Sequence, residues 1–140
     1  MTPNFTMREM LYGSNDRLLK SLTPTEQDVF TQAIQAELND DITKNLYQVA
    51  RVLEIIRAYL GEPVFVTCGF RPKAWEFYRG RSGNSKHTTG EAVDITFTKA
   101  SLQYVYEWIN TNLRTGGRGI NHSAQFIHYD IRNNFAEWNY

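Results

Sequence analysis

The chain has 140 residues, 41% of them hydrophobic, with 15 basic and 15 acidic side chains and no net charge. That length and composition fit one domain over residues 1–140, with enough apolar residues for a core, and exclude a disordered chain. The balance of charge, without runs of one sign, argues against nucleic acid or an anionic membrane surface as partner.

The first 60 residues read as helical. Thr6-Met7-Arg8-Glu9 has the spacing of a capping box, a threonine cap with a glutamate three residues on. Thr23-Pro24-Thr25-Glu26 is a stronger case, with proline at the first helical position. From there Val29, Phe30, Ala33, Ile34, Ala36 and Leu38 carry a helix to about Asn39. Asn39-Asp40-Asp41 reads as a break. Ile42, Leu46, Val49, Ala50, Leu53, Ile56 and Leu60 then recur at helical spacing up to Gly61, predicting the longest and most buried helix.

After Pro63 the pattern changes to strands. Val64 to Thr67 is rich in β-formers. Cys68 follows it; as the single cysteine it can form no intramolecular disulfide, and it reads as a buried small hydrophobe rather than a nucleophile or ligand. Gly69 to Lys86 reads as a loop, Ala92 to Phe97 as a second strand, and Thr98 as the cap of a helix from about Lys99 to Leu113. Thr115-Gly116-Gly117 stops that helix. Gln125 to Arg132 alternates and reads as a third strand. Helices first and strands later imply an α+β domain with a small antiparallel sheet. The first residues lack a Sec-type leader and no window approaches a membrane span, so the reading is a soluble chain without membrane insertion.

All three histidines lie between positions 87 and 128. His87 ends the loop, and Gly90 permits a tight turn before Asp94 inside the second strand. Strand alternation puts Asp94 beside Ala92 and Thr96 on one face, and a carboxylate next to an apolar layer needs a partner, for which a cation would serve. In the third strand Phe126, His128, Asp130 and Arg132 share a face. Two histidines and a carboxylate suit zinc with an open position, where a water can acidify to about pH 7. Spacing by itself favours ordinary hydrogen-bonded pairs over a metal site. His122 reads as an exposed loop residue.

Ser85-x-His87-x-x-Gly90-x-Ala92-x-Asp94, followed by His128-x-Asp130, resembles the zinc D-Ala-D-Ala carboxypeptidase family, within the lysostaphin, D-Ala-D-Ala peptidase and Hedgehog superfamily. Phe5-Thr6-Met7-Arg8-Glu9 resembles the family's opening. Thr67-Cys68-Gly69-Phe70-Arg71 resembles its Thr-Ser-Gly-Tyr-Arg segment. Gly116-Gly117-Arg118-Gly119-Ile120 and Phe126 to Arg132 resemble its glycine segment and closing strand. The resemblance implies N-terminal helices packed on a small sheet that carries one zinc ion, held by His87, Asp94 and His128. It implies a monomeric peptidase acting on amide bonds of peptidoglycan stem or cross-link peptides, as an endopeptidase or a D,D-carboxypeptidase. Arg71 matches the arginine expected to hold a substrate carboxylate or polarise the carbonyl, with a structural salt bridge as its other reading, and Ser85 is expected on the substrate side.

The chain departs from many relatives where they place an acid three residues before the last ligand; here that residue is Gln125, which accepts no proton at neutral pH. Asp130 is the expected base instead, with orientation of a ligand histidine as its other reading. Asn121-His122 stands where relatives often carry Tyr-Pro. The expected setting is a phage or prophage lysin released from the host cytoplasm onto the wall. The alternative is an inactive zinc-binding module that recognises cell wall or a protein partner.

Overall fold

The computed structural model describes residues 1–140. In chain order its elements are α1 (Met7–Tyr12), α2 (Arg17–Lys20), α3 (Pro24–Glu37), α4 (Asp40–Leu60), β1 (Phe65–Cys68), α5 (Lys73–Tyr78), β2 (Ala92–Thr96), α6 (Leu102–Asn112), β3 (Gly116–Asn121), β4 (Phe126–Asp130) and β5 (Phe135–Asn139). Single 3-10 turns lie at Ser14–Asp16 and Lys86–Thr89. This is the α+β class expected.

Local chemistry sets the helix starts. Thr6 and Thr23 both complete capping boxes, with Glu9 and Glu26. Asn39, read as part of a break, is the cap of α4: its Oδ1 accepts from the Ile42 amide at 2.9 Å. Gly61 ends α4 in the left-handed region, at φ 64°. The helix expected from Lys99 begins later, capped by Ser101. The amides of Thr98, Lys99 and Ala100 donate to the Glu62 carboxylate instead, which holds that segment out of the helix. Within the stretch read as loop, α5 forms because Trp75 packs edge-on against Phe30 of α3, with centroids 5.3 Å apart.

The sheet order is β1-β2-β4-β3-β5. β1, β2, β4 and β3 pair antiparallel, as expected, and β5 joins β3 in parallel, so the sheet is mixed. The reason is topological. After β4 the chain crosses the end of β3, where the Gly116 amide donates to the Asn134 carbonyl, and runs back antiparallel to β4. It is therefore parallel to β3.

One face of the sheet is core. Val93 and Ile95 of β2, Ile120 of β3, and Ile127 and Tyr129 of β4 pack with Leu46, Val49, Leu53 and Ile56 of α4 and with Val105 and Ile109 of α6. Each fully buried aliphatic side chain there contributes about 1.5–3 kcal/mol. The alternate residues, Asp94, His128 and Asp130 among them, face the other side.

Candidate metal centre

Register places one residue from each strand in a single transverse row: Cys68 of β1, Asp94 of β2, His128 of β4, Gly119 of β3 and Trp138 of β5. A bulge between Val66 and Cys68 brings Cys68 opposite Asp94. His87 comes to this row from outside the sheet, on the 3-10 turn. Ser85 starts that turn, its Oγ accepting from the His87 amide at 3.1 Å. Gly90 ends it at φ 75°, where a Cβ would run into the Ile42 carbonyl of α4. The Arg71 amide donates to the His87 carbonyl at 3.0 Å, tying the turn to the segment after β1.

His87, Asp94 and His128 are 2%, 7% and 6% exposed. His87 Nδ1 lies 2.7 Å from the Gly69 carbonyl, so that nitrogen carries the proton and Nε2 turns its lone pair to Asp94 Oδ1, 3.3 Å away. His128 Nε2 lies 2.8 Å from Asp130 Oδ2, so its Nδ1 lone pair faces the same Asp94 oxygen at 3.2 Å. Two lone pairs and a carboxylate oxygen thus converge without a proton donor between them. Such acceptors repel unless a cation, a proton or a metal ion, sits among them. Nitrogen and oxygen ligands about 2.0–2.1 Å from a tetrahedral zinc stand about 3.4 Å apart, which the two histidine-to-Asp94 distances match.

A proton takes the place in the metal-free protein. Burial on its own pushes His87 down, but the Asp94 carboxylate, and Cys68 after it, raise it to about 10. Burial likewise favours a neutral Asp94, yet the charge of the protonated His87 beside it holds it well below the usual carboxylate range.

Cys68 is buried, as expected, and it also borders the site. Its Sγ lies 4.0 Å from His87 Nδ1, and donor atoms of Cys68, His87 and Asp94 fall within 4.8 Å of one another. A second donor set therefore overlaps the first and shares His87 and Asp94.

Asp130, the residue expected to take a proton, is wholly buried and fully engaged. Its Oδ1 accepts from the Gly117 amide at 3.0 Å and from Arg132 Nε at 2.7 Å; its Oδ2 accepts from Arg132 Nη2 at 2.7 Å and from His128 Nε2. Burial would raise its pKa, but the bonds from His128 and Arg132 outweigh that and hold it well below the usual range. Gln125 sits in the β3–β4 turn at φ 60°, exposed, with its side-chain amide donating to the His122 carbonyl. His122 is exposed.

A cavity of about 520 Å³ opens over His87, Asp94 and His128. Arg71, Lys86 and Arg132 give it positive charge, and Phe126, Trp138 and Tyr140 give it an aromatic wall; Asp94 is the one carboxylate in its lining. Arg71 is held by Glu76, 3.1 Å from its Nε, and its Nη2 donates to Ser85 Oγ at 3.3 Å. Arg71 and Ser85 thus stand together at the cavity, beside the three convergent residues. Sequence reading missed Trp138 as a site residue, and the signal available was only the concentration of aromatics near the C-terminus.

A family model described as Peptidase M15 matches residues 16–130. The motif residues from Arg71 to Asp130 all fall inside that span, and β5 lies beyond it. No curated protein matches the chain.

Proposed function

The chain belongs to the peptidase M15 family, and from that premise we propose that it is a zinc peptidase hydrolysing amide bonds of peptidoglycan stem or cross-link peptides, as an endopeptidase or D,D-carboxypeptidase. The observation that carries the reading is the convergence of two imidazole lone pairs on one buried carboxylate oxygen. His87 through Nε2, Asp94 through Oδ1 and His128 through Nδ1 would hold one zinc ion. When bound there, zinc supplies the Lewis acidity that amide hydrolysis needs.

The other residues divide the remaining work. Arg71, fixed by Glu76 and Ser85, offers its free guanidinium donors to a substrate carboxylate or to the scissile carbonyl. Lys86 and Arg132 add positive charge that favours a peptide carrying carboxylates. Asp130 acts through His128: it fixes the tautomer that leaves Nδ1 free, and its own oxygens have no vacancy for a further proton donor.

One observation favours a second reading. Asp94 is the only carboxylate lining the cavity, and Gln125 is not part of that lining. A module that holds zinc and binds wall peptides without cutting them would look like this. Incubating the zinc-loaded protein with purified muropeptides, followed by mass spectrometry, separates the two. New free amines that vanish with chelator and in His87→Ala support the peptidase. Retention of intact muropeptides supports the module. Neither cleavage nor retention sinks both.

A further inference from the structure

β5 lies outside the segment that the family model matches, yet its Trp138 completes the transverse row of the site. The indole lies against His128, with ring centroids 5.1 Å apart and planes at 48°. Arg132 lies over the indole, 5.4 Å from its centroid, while binding Asp130, which binds His128. His128, Asp130, Arg132 and Trp138 therefore form a closed ring of contacts. The contacts of Asp130 and Trp138 with His128 are complementary. A hydrogen bond at Nε2 sets the tautomer and the direction of the ring, but leaves the ring free to tilt about that bond. The tilted indole packed beside the ring hinders that motion.

The seat for the indole is Gly119, paired with both His128 and Trp138. A Cβ at Gly119 would run straight into the indole. Gly119 does not have a positive φ, so this close approach is what bars a side chain there.

We propose that Trp138 is a positioning residue for the metal centre: seated on Gly119, it fixes the imidazole plane of His128 so that Nδ1 stays aimed at the Asp94 oxygen. This rests on the reading of His128 as a zinc ligand.

The test is zinc affinity by competition with a chromophoric chelator, on the full chain, with circular dichroism to show that each variant folds. Trp138→Ala should lower the affinity about tenfold, as loss of an outer partner of a ligand histidine does. Trp138→Phe keeps a flat face and should recover most of it. Gly119→Ala should mimic Trp138→Ala in the wild-type background and add little in Trp138→Ala, because the atoms nearest to its Cβ all belong to the indole. Wild-type affinity in Trp138→Ala, or additive losses in the double variant, overturns the role of Trp138. A wild-type chain that binds no zinc overturns the metal centre itself, and this inference with it.

Discussion

Arg118 of β3 and Asp94 of β2 are both buried charges on one sheet, but they lie on opposite faces and meet burial in opposite ways. Arg118 is 0% exposed on the core side. Its two terminal nitrogens donate to the carbonyls of Ile109, Leu113, Thr115 and Gly116 and to Asn110 Oδ1, closing the C-terminal end of α6; its Nε alone lacks a partner. Phe135 covers the guanidinium, 4.4 Å from its ring centroid. Around Arg118, donors meet acceptors. Around Asp94, acceptors meet acceptors, and the deficit is one positive charge. A nearly saturated cluster holds the fold, whereas the unsaturated one leaves room for a cation, as the proposed zinc site requires.

The largest effect that would test this contrast is on zinc itself. His87→Ala should abolish zinc binding and muropeptide hydrolysis together, and chelator treatment of the wild type should do the same. Retained hydrolysis after either treatment breaks the contrast at its functional end. Arg118→Met should do the reverse. Removing the donor to the Ile109, Leu113, Thr115 and Gly116 carbonyls, of which Ile109 and Thr115 keep the Leu113 amide and the Tyr129 hydroxyl, costs about 2 kcal/mol or more, read from urea unfolding. Zinc affinity of the folded protein should stay at the wild-type level, and a drop in it would join the two faces that the contrast separates.

Asp130→Asn should have the next effect, a loss of about 10- to 100-fold in zinc affinity, because an amide no longer holds the His128 tautomer as firmly. A proton-accepting Asp130 predicts something else: wild-type zinc affinity with only kcat reduced. Chelator competition and steady-state kinetics on the same variant decide between the two.

Much of this was legible because local chemistry repeats itself. The capping boxes at Thr6 and Thr23 and the apolar spacing of α4 need only near neighbours, and the structure has them as read. β3 was less legible, since its first residues fall in Thr115-Gly116-Gly117, which reads as a helix stop. Gly117 and Gly119 are bare because the Asp130 and Arg132 side chains and the Trp138 indole fill the space of their Cβ atoms, which are contacts from distant sequence. β5 is a short edge strand with exposed alternate residues, and its pairing with β3 follows from topology alone. Cys68 shows the same limit. Its burial could be read from the apolar run before it, while its place beside His87 depends on the β1 bulge.

The smallest predicted effect is a slope with pH. In the metal-free protein His87 keeps its proton up to about 10, because the buried Asp94 carboxylate holds it there. In the unfolded chain the same group lets go near about 6.5. The proton between His87 and Asp94 therefore stabilises the metal-free fold fully below about pH 6.5, and that stabilisation is lost as pH rises through about 10. Zinc must expel this proton to take its place, so affinity should climb about tenfold per pH unit between about pH 7 and 9. Calorimetry in buffers of different ionisation enthalpy should count close to one proton released from the site per zinc bound. The nearly saturated Arg118 cluster has no such proton to give. A flat affinity over that range, with no proton released, would mean that Asp94 and His87 are already satisfied without a cation, as Arg118 is.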